Sequence, residues 1–130
     1  MTPQPLASQA LGNQLTLNLF DASRKMLADR WQIELVLRID VPVSEACFGG
    51  ELSPPAPQDE LIAALGETTR FEYRDRRTFV DAAEKAAIMA RMQADLLDMA
   101  PRYYGHPEFA ARFITKRYIE SRKNGRVGRG

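Results

Sequence analysis

Cys47 is the only cysteine and His106 the only histidine of this 130-residue chain, so together they could form a nucleophile and its base. A thiol activated by an imidazole is a recurrent arrangement in covalent catalysis. Neither residue lies in a motif that would lower a thiol pKa, and the two supply too few ligands for a zinc site. We interpret Cys47 as a small structural side chain and His106 as a helix-capping or surface residue. We expect no catalytic residue, metal ion or cofactor.

Acidic residues also occur in pairs that could do chemistry. Asp95 and Asp98 lie three residues apart in a helical pattern, and Asp21 and Asp29 flank the end of a predicted hairpin. Paired carboxylates act in acid–base catalysis or bind hard cations, but on a helix surface they usually only face solvent. The glycine pair at 49–50 lacks the lysine and the strand-to-helix context of a phosphate-binding loop. We interpret it as a turn.

Positive side chains form two clusters with a clearer pattern. One follows a predicted strand and its exit, interleaved with two aromatic residues, and comprises Arg70, Arg74, Arg76 and Arg77. The other lies near the C-terminus and comprises Lys116, Arg117, Arg122, Lys123, Arg126 and Arg129. Residues 102–130 hold 8 Lys and Arg against 2 Asp and Glu, although the whole chain has a net charge of only +1. We interpret both clusters first as solvated faces, and contact with nucleic acid or another polyanion is the alternative.

Composition limits the class of protein. Hydrophobic residues make up 45% of the chain and charged residues 27%, which is typical of a globular domain. No apolar run approaches the roughly 20 residues that span a bilayer, no basic and then apolar leader opens the chain, and a single cysteine suits a reducing compartment. We expect a cytoplasmic protein without a membrane partner. We expect a single domain over 1–130, with a flexible arm over 1–14, a mobile loop over 44–57 and a loose tail over 126–130.

The stretch from Arg30 to Val43 is the clearest structural element. Its apolar residues occupy every second position, namely Trp31, Ile33, Leu35, Leu37, Ile39 and Val41. This period predicts a strand with one buried face, and it places Glu34 and its even-numbered neighbours on a solvent-facing side.

The remaining patterns supply the other elements of the fold. Alternating leucines predict a first strand, and a loss of phase near residues 21–23 predicts a bulge within one long hairpin over 15–41. Alternation over 68–76 predicts a third strand, and a short helix is expected between Pro57 and Gly66. Two helical patterns cover 79–100, beginning with a cap at Thr78, and 107–123. The expected fold is α+β in two layers, with an antiparallel sheet of about three strands covered by the two C-terminal helices.

The helix over 79–100 is rich in alanine and methionine, so more than one of its faces requires cover. We place Ile88, Met89 and Met92 at a homodimer interface. The first functional hypothesis is therefore a small cytosolic interaction or assembly domain that is not catalytic and works as a homo-oligomer. The alternative is a nucleic-acid-binding accessory protein that uses the basic C-terminal helix and tail. The third is a small enzyme whose chemistry the sequence does not identify.

Overall fold

The computed structural model describes residues 3–49 and 51–129, with side chains described as far as Lys123. The sheet is antiparallel and contains five strands, β1 (Gln4–Ala10), β2 (Thr16–Asp21), β3 (Arg24–Lys25), β4 (Arg30–Pro42) and β5 (Thr68–Asp81). The helices are α1 (Gln58–Leu65), α2 (Lys85–Tyr103) and α3 (Phe109–Arg129), with short 3-10 turns at Glu45–Cys47 and Ala82–Glu84. This confirms the predicted α+β class, with more strands than expected.

Strand β4 is the centre of the sheet, because β2 and β3 pair with one of its edges and β5 pairs with the other. Its odd-numbered residues from Ile33 to Val41 are fully buried, as the two-residue period predicted. The opposite face of β4 is not uniformly exposed to solvent, since Gln32, Glu34 and Val36 are also buried. Val36 lies between Phe20 and Arg74 in the pairing register, so long side chains on the neighbouring strands cover this face.

The predicted hairpin is present, but the predicted bulge is not. Strands β2 and β3 pair with β4 in one continuous register, which places Leu17 opposite Ile39 and Lys25 opposite Trp31. No extra residue is therefore inserted relative to β4 between β2 and β3. The interruption at residues 22–23 arises because the Ser23 hydroxyl accepts a hydrogen bond from the Glu34 backbone N–H at 3.0 Å. A side chain thus replaces one backbone acceptor without changing the register.

Part of the expected flexible arm is a strand. Residues 4–10 form β1, which pairs with β2 from Gln4 opposite Asp21 to Ala10 opposite Thr16. The sequence did not indicate it, because Pro5 and the polar residues around it lack an alternating apolar pattern. The free edge of β2 supplies the hydrogen-bond partners for this segment, and Leu11 anchors its end in the core.

Helix and strand boundaries near residue 78 differ from those predicted. Strand β5 continues to Asp81, where the expected helix had already begun, and α2 begins only at Lys85. Asp81 caps the intervening turn by accepting a hydrogen bond from the Ala83 backbone N–H at 3.2 Å. Helix α2 also passes Pro101 and ends at Tyr103. A proline in the last turn lacks only one backbone donor, so the helix tolerates it there.

Helix α3 begins at Phe109 rather than at 107 and continues to Arg129. The backbone of residues 126–129, expected to be a loose tail, is therefore helical, and Gly130 lies outside the described residues. Helix α1 follows Pro57 and ends at Leu65, before Gly66, whose φ of 88° requires a residue without a side chain. Mobility of the loop over 44–57 stays a prediction.

The three helices pack on the face of the sheet that carries the odd-numbered residues of β4. Met89, Met92 and Leu96 of α2 and Ile114 and Tyr118 of α3 lie in the same core as the buried strand residues. Four alanines lie on the exposed side of α2 beside charged residues, so part of the apolar surplus seen in the sequence consists of small, helix-favouring side chains. None of the helices in the described part of the chain is long and apolar enough to cross a membrane.

Candidate anion-binding groove

A groove of about 790 Å³ lies between the start of β5, the end of α2 and the outer side of α3. Its walls combine aromatic rings with charged side chains. The lining residues are Arg70, Phe71, Glu72, Arg102, Tyr103, His106, Glu108, Phe109, Arg112, Phe113, Lys116, Arg117 and Glu120. We refer to it below as the cationic groove.

The floor of the cationic groove is an aromatic cluster centred on Phe71. The ring of Phe71 lies 5.2 Å from that of Tyr104, 5.3 Å from Phe109 and 5.4 Å from Phe113, measured between centroids. The contacts with Phe109 and Phe113 are edge-to-face, which aromatic quadrupoles favour. These contacts join β5 to the start of α3, and they hold both walls of the groove in place.

Tyr103 stands at the rim of this cluster and is 63% exposed. It packs edge-to-face on the buried Tyr104 at 5.0 Å, so it is held while remaining open to solvent. Burial, and then the neighbouring Tyr103 and Tyr73, raise the pKa of Tyr104 to about 12. Tyr104 is therefore a neutral phenol at physiological pH, and it contributes packing to the site rather than charge.

Most charges near the cationic groove are paired. Arg112 donates to Glu108 Oε1 from both Nε, at 3.0 Å, and Nη2, at 2.6 Å. Arg70 donates from Nε to Asp40 Oδ1 at 2.9 Å, and Glu72 accepts from Arg74 and Arg38.

Three positively charged side chains at the groove are not paired with a carboxylate among the described residues. Within the described residues, Arg102, Lys116 and Arg117 form no ion pair. The only lining carboxylate not already bound to an arginine is Glu120, so the groove carries a positive excess.

The corner between α2 and α3 is fixed by contacts with the turn between β1 and β2. Asn13 Nδ2 donates to the backbone carbonyl of Tyr104 at 2.9 Å and to that of His106 at 3.1 Å. Gly105 makes the tight corner, because a Cβ at that position would lie 2.6 Å from the Pro101 carbonyl oxygen. His106 Nδ1 accepts a hydrogen bond from the Glu108 backbone N–H at 3.1 Å. This hydrogen bond caps the turn before α3 and not α3 itself, which begins at Phe109.

Cys47 and His106 line different cavities. The Cys47 thiol donates to the Pro42 carbonyl oxygen at 3.3 Å and lies beside Ser44 and Ala110. Burial raises its pKa, although a backbone hydrogen bond from Ser44 acts in the opposite direction. A thiol with a raised pKa is a poor nucleophile at neutral pH.

The predicted C-terminal basic cluster divides over several sides of α3. Lys116 and Arg117 line the cationic groove. Arg122 Nη1 donates to the Tyr118 hydroxyl at 3.3 Å, and that hydroxyl donates to Glu60 Oε2 at 3.0 Å. Lys123 lines a neighbouring, largely apolar cavity of about 540 Å³ beside Phe48 and Leu52. The side chains of Arg126 and Arg129 lie outside the described residues.

The predicted strand cluster is neutralised by carboxylates on the outer face of the sheet and along β5. Arg74 and Arg76 both donate to Glu34, Arg70 pairs with Asp40, and Arg77 pairs with Asp75. Burial alone would raise the pKa of Glu34, but the hydrogen bonds and charges of Arg76 and Arg74 outweigh it and lower that pKa. Hydrogen bonds from Arg38 and Arg74 likewise lower the pKa of Glu72. This cluster is therefore an internal ionic network.

The three residues expected at a dimer interface have different environments. Met89 and Met92 are largely buried in the core of their own chain, so they present little surface to a partner, although Met92 also lines the groove beside Ile88. Ile88 is partly exposed, and it lines a groove of about 610 Å³ between α2 and β5.

Several groove residues were not singled out by sequence reasoning. They are Arg102, Tyr103 and Arg112 and the rings of Phe71, Phe109 and Phe113. Their meeting depends on the packing of α3 against β5, which no local pattern indicates.

Comparisons with protein-family models, with characterised proteins and with solved structures found no significant match for this chain. Among the residues that the structure describes, no three His, Cys, Asp or Glu side chains are grouped so that they could hold a metal ion.

Proposed function

We propose that this chain is a non-catalytic binding domain whose cationic groove takes single-stranded nucleic acid. The observation that carries this proposal is the positive excess of Arg102, Lys116 and Arg117 beside a floor of aromatic rings. Surfaces that bind single strands combine cations that contact the phosphates with rings on which bases stack. Tyr103, which is held by Tyr104 and exposed at the rim, is the ring best placed to receive a base.

A single strand suits this groove better than a duplex does. In a duplex the faces of the bases are covered by their neighbours, so an exposed tyrosine has nothing to stack on. A single strand leaves those faces open, and its phosphates can contact Lys116 and Arg117 in the groove. Beyond Arg117 the helix continues with the basic residues Arg122, Lys123, Arg126 and Arg129.

The other two hypotheses have weaker support. The assembly-domain hypothesis is weakened because two of its three expected interface residues, Met89 and Met92, lie in the core. The enzyme hypothesis would need an activated group, whereas burial raises the pKa of the Cys47 thiol and Tyr104 is a neutral phenol at neutral pH. The arginines of β5 do not support a separate polyanion site, because carboxylates already bind them.

The test is a fluorescence-anisotropy titration of the full chain with mixed-sequence DNA and RNA 20-mers at several salt concentrations. Three engaged cations release counterions from a single strand, which gives a log–log salt slope of about −2. Engagement of the remaining α3 cations would make the slope steeper. A matched duplex should bind more weakly than the single strand at every salt concentration. Absence of binding to either 20-mer at low salt would refute the proposal.

A further inference from the structure

Strand β5 ends the sheet on one side, and its outer edge is long and regular. It has 14 residues, and within the described part of the chain only β4 pairs with it. The register against β4 is uninterrupted from Thr68 to Arg77. The opposite edge strand, β1, has 7 residues, contains Pro5 and shifts register between Pro5 and Ala7, features that discourage pairing. The backbone of β5 is therefore the better template for another strand.

We propose that β5 pairs antiparallel with β5 of a second copy of this chain, around a two-fold axis normal to the sheet at Arg74. Arg74 lies near the middle of the strand, so this register uses nearly its whole length. It places Glu72 of each copy, which Arg38 and Arg74 already bind, opposite Arg76 of the other copy, which Glu34 already binds. Opposite charges therefore face each other twice across the junction and extend the ionic network of each copy. The two Arg74 side chains meet at the axis, but each is already bound by Glu72 at 2.9 Å and Glu34 at 3.2 Å.

The helix side of the sheet also supports this register. Tyr73 projects on that side and is 43% exposed although it is aromatic. In a register centred on Arg74, the two Tyr73 residues become diagonal neighbours about 7–8 Å apart, a distance that aromatic side chains span. The groove of about 610 Å³ with Val80, Ile88 and Met92 among its lining opens along the same strand. Because the axis is normal to the sheet, the helices of both copies lie on this side, and the second copy covers the groove.

The opposing interpretation is that the charges on β5 protect the edge from pairing, as charged edge strands commonly do. It predicts a monomer. In the register centred on Arg74, Glu72 and Arg76 of the two copies face each other with opposite charge, whereas protection of an edge requires no such match. The two interpretations therefore differ in oligomeric state and in register.

Sedimentation velocity on the full chain at tens of micromolar tests the oligomeric state. The expected species is a dimer, and Ile88→Glu and Tyr73→Ser should each raise the dimer Kd by at least about tenfold. Leu27→Ser is the matched control, because Leu27 is 78% exposed at the turn between β3 and β4 and does not line the groove beside β5. It should leave the dimer unchanged. A wild-type monomer would overturn the proposal.

Disulfide trapping tests the register in a Cys47→Ala background. Residues directly opposite in an antiparallel pair have Cβ atoms about 4.5–5.5 Å apart, so Arg74→Cys should cross-link the two copies under mild oxidation. Arg70→Cys is the control, since two such residues would lie eight positions apart, roughly 27 Å, in this register. Circular dichroism shows whether each variant is folded. Failure of folded Arg74→Cys to cross-link, or equal cross-linking at both positions, would overturn the proposal.

Discussion

Arg76 Nη2 donates to the Oε1 atom of Glu34 at 3.0 Å, across the junction between β5 and β4. The same carboxylate oxygen accepts from Arg74 Nη1 at 3.2 Å. Glu34 is only 5% exposed, so these two arginines neutralise a carboxylate that the sheet has removed from water. The basic appearance of β5 therefore reflects internal charge pairing, and the cations available to a ligand are those of the α2–α3 corner and α3.

Replacing Glu34 by Gln should destabilise the fold although the change is nearly isosteric. The neutral amide cannot compensate two guanidinium groups as a carboxylate does, and we expect a loss of about 1–2 kcal/mol. Urea denaturation measures this loss. Glu67→Gln is the control, because Glu67 is exposed and forms no ion pair among the described residues, and it should stay within about 0.5 kcal/mol. Equal stability of the two variants would show that the network does not stabilise the sheet.

Stability should fall in acid because the pKa values of Glu34 and Glu72 lie below their ordinary value of 4.5. A carboxyl with a lowered folded-state pKa stabilises the fold fully above its unfolded pKa, and it loses that effect as pH falls through the folded pKa. The urea midpoint should therefore be flat near neutral pH and decline below about pH 4.5. The double variant Glu34→Gln/Glu72→Gln should show a shallower decline. An unchanged decline would assign the acid sensitivity to other groups.

Gly105→Ala should destabilise the corner that forms one end of the groove. The added Cβ would lie 2.6 Å from the Pro101 backbone carbonyl oxygen, so the last turn of α2 would have to move. We expect a loss of about 1–3 kcal/mol in a thermal or urea melt. Gly49→Ala is the matched control, because a Cβ there has no neighbour within 4 Å, and it should be neutral or slightly stabilising. If both variants melt alike, the close contact at Gly105 does not constrain the corner.

Tyr103→Ala should weaken oligonucleotide binding without changing stability. Loss of one stacked base costs about 1–3 kcal/mol of binding free energy, and an exposed side chain contributes little to folding. The measurement is anisotropy with the DNA and RNA 20-mers, and Leu27→Ala serves as the control for loss of an exposed apolar side chain. Unchanged affinity in folded Tyr103→Ala would contradict base stacking on Tyr103. It would not contradict contacts between the groove cations and the phosphates.

The parts of the fold that the sequence predicted are those with a strong local period. The alternation from Trp31 to Val41 located β4 and its buried face, and the helical patterns located α2 and α3. Strand β1 could not be predicted, because it is held by the edge of β2 and its own residues show little alternation. The end of β5 was missed because residues 75–78 are polar on both faces.

The candidate site was predictable only in part. Lys116 and Arg117 stood out as charges, but the rings beside them come from distant positions and meet only through packing. The pairing of Glu34 with Arg76 also depends on the register between β4 and β5, which a single sequence does not specify. The sequence therefore shows which residues are charged, but it does not show which of them are paired with an opposite charge. That difference explains why the two basic clusters looked alike before their contacts were known.

The cationic groove is tested most directly by removing the same amount of charge inside it and away from it. Lys116→Gln/Arg117→Gln removes two of the three unpaired cations of the groove, and Arg24→Gln/Lys25→Gln removes two exposed cations of β3. Both variants have the same net charge, so a nonspecific effect of charge would weaken binding of the single-stranded 20-mer equally. Our account predicts that only the groove variant loses affinity, and that its log–log salt slope becomes shallower by about 1.4. Equal affinities and equal slopes for the two variants would contradict it.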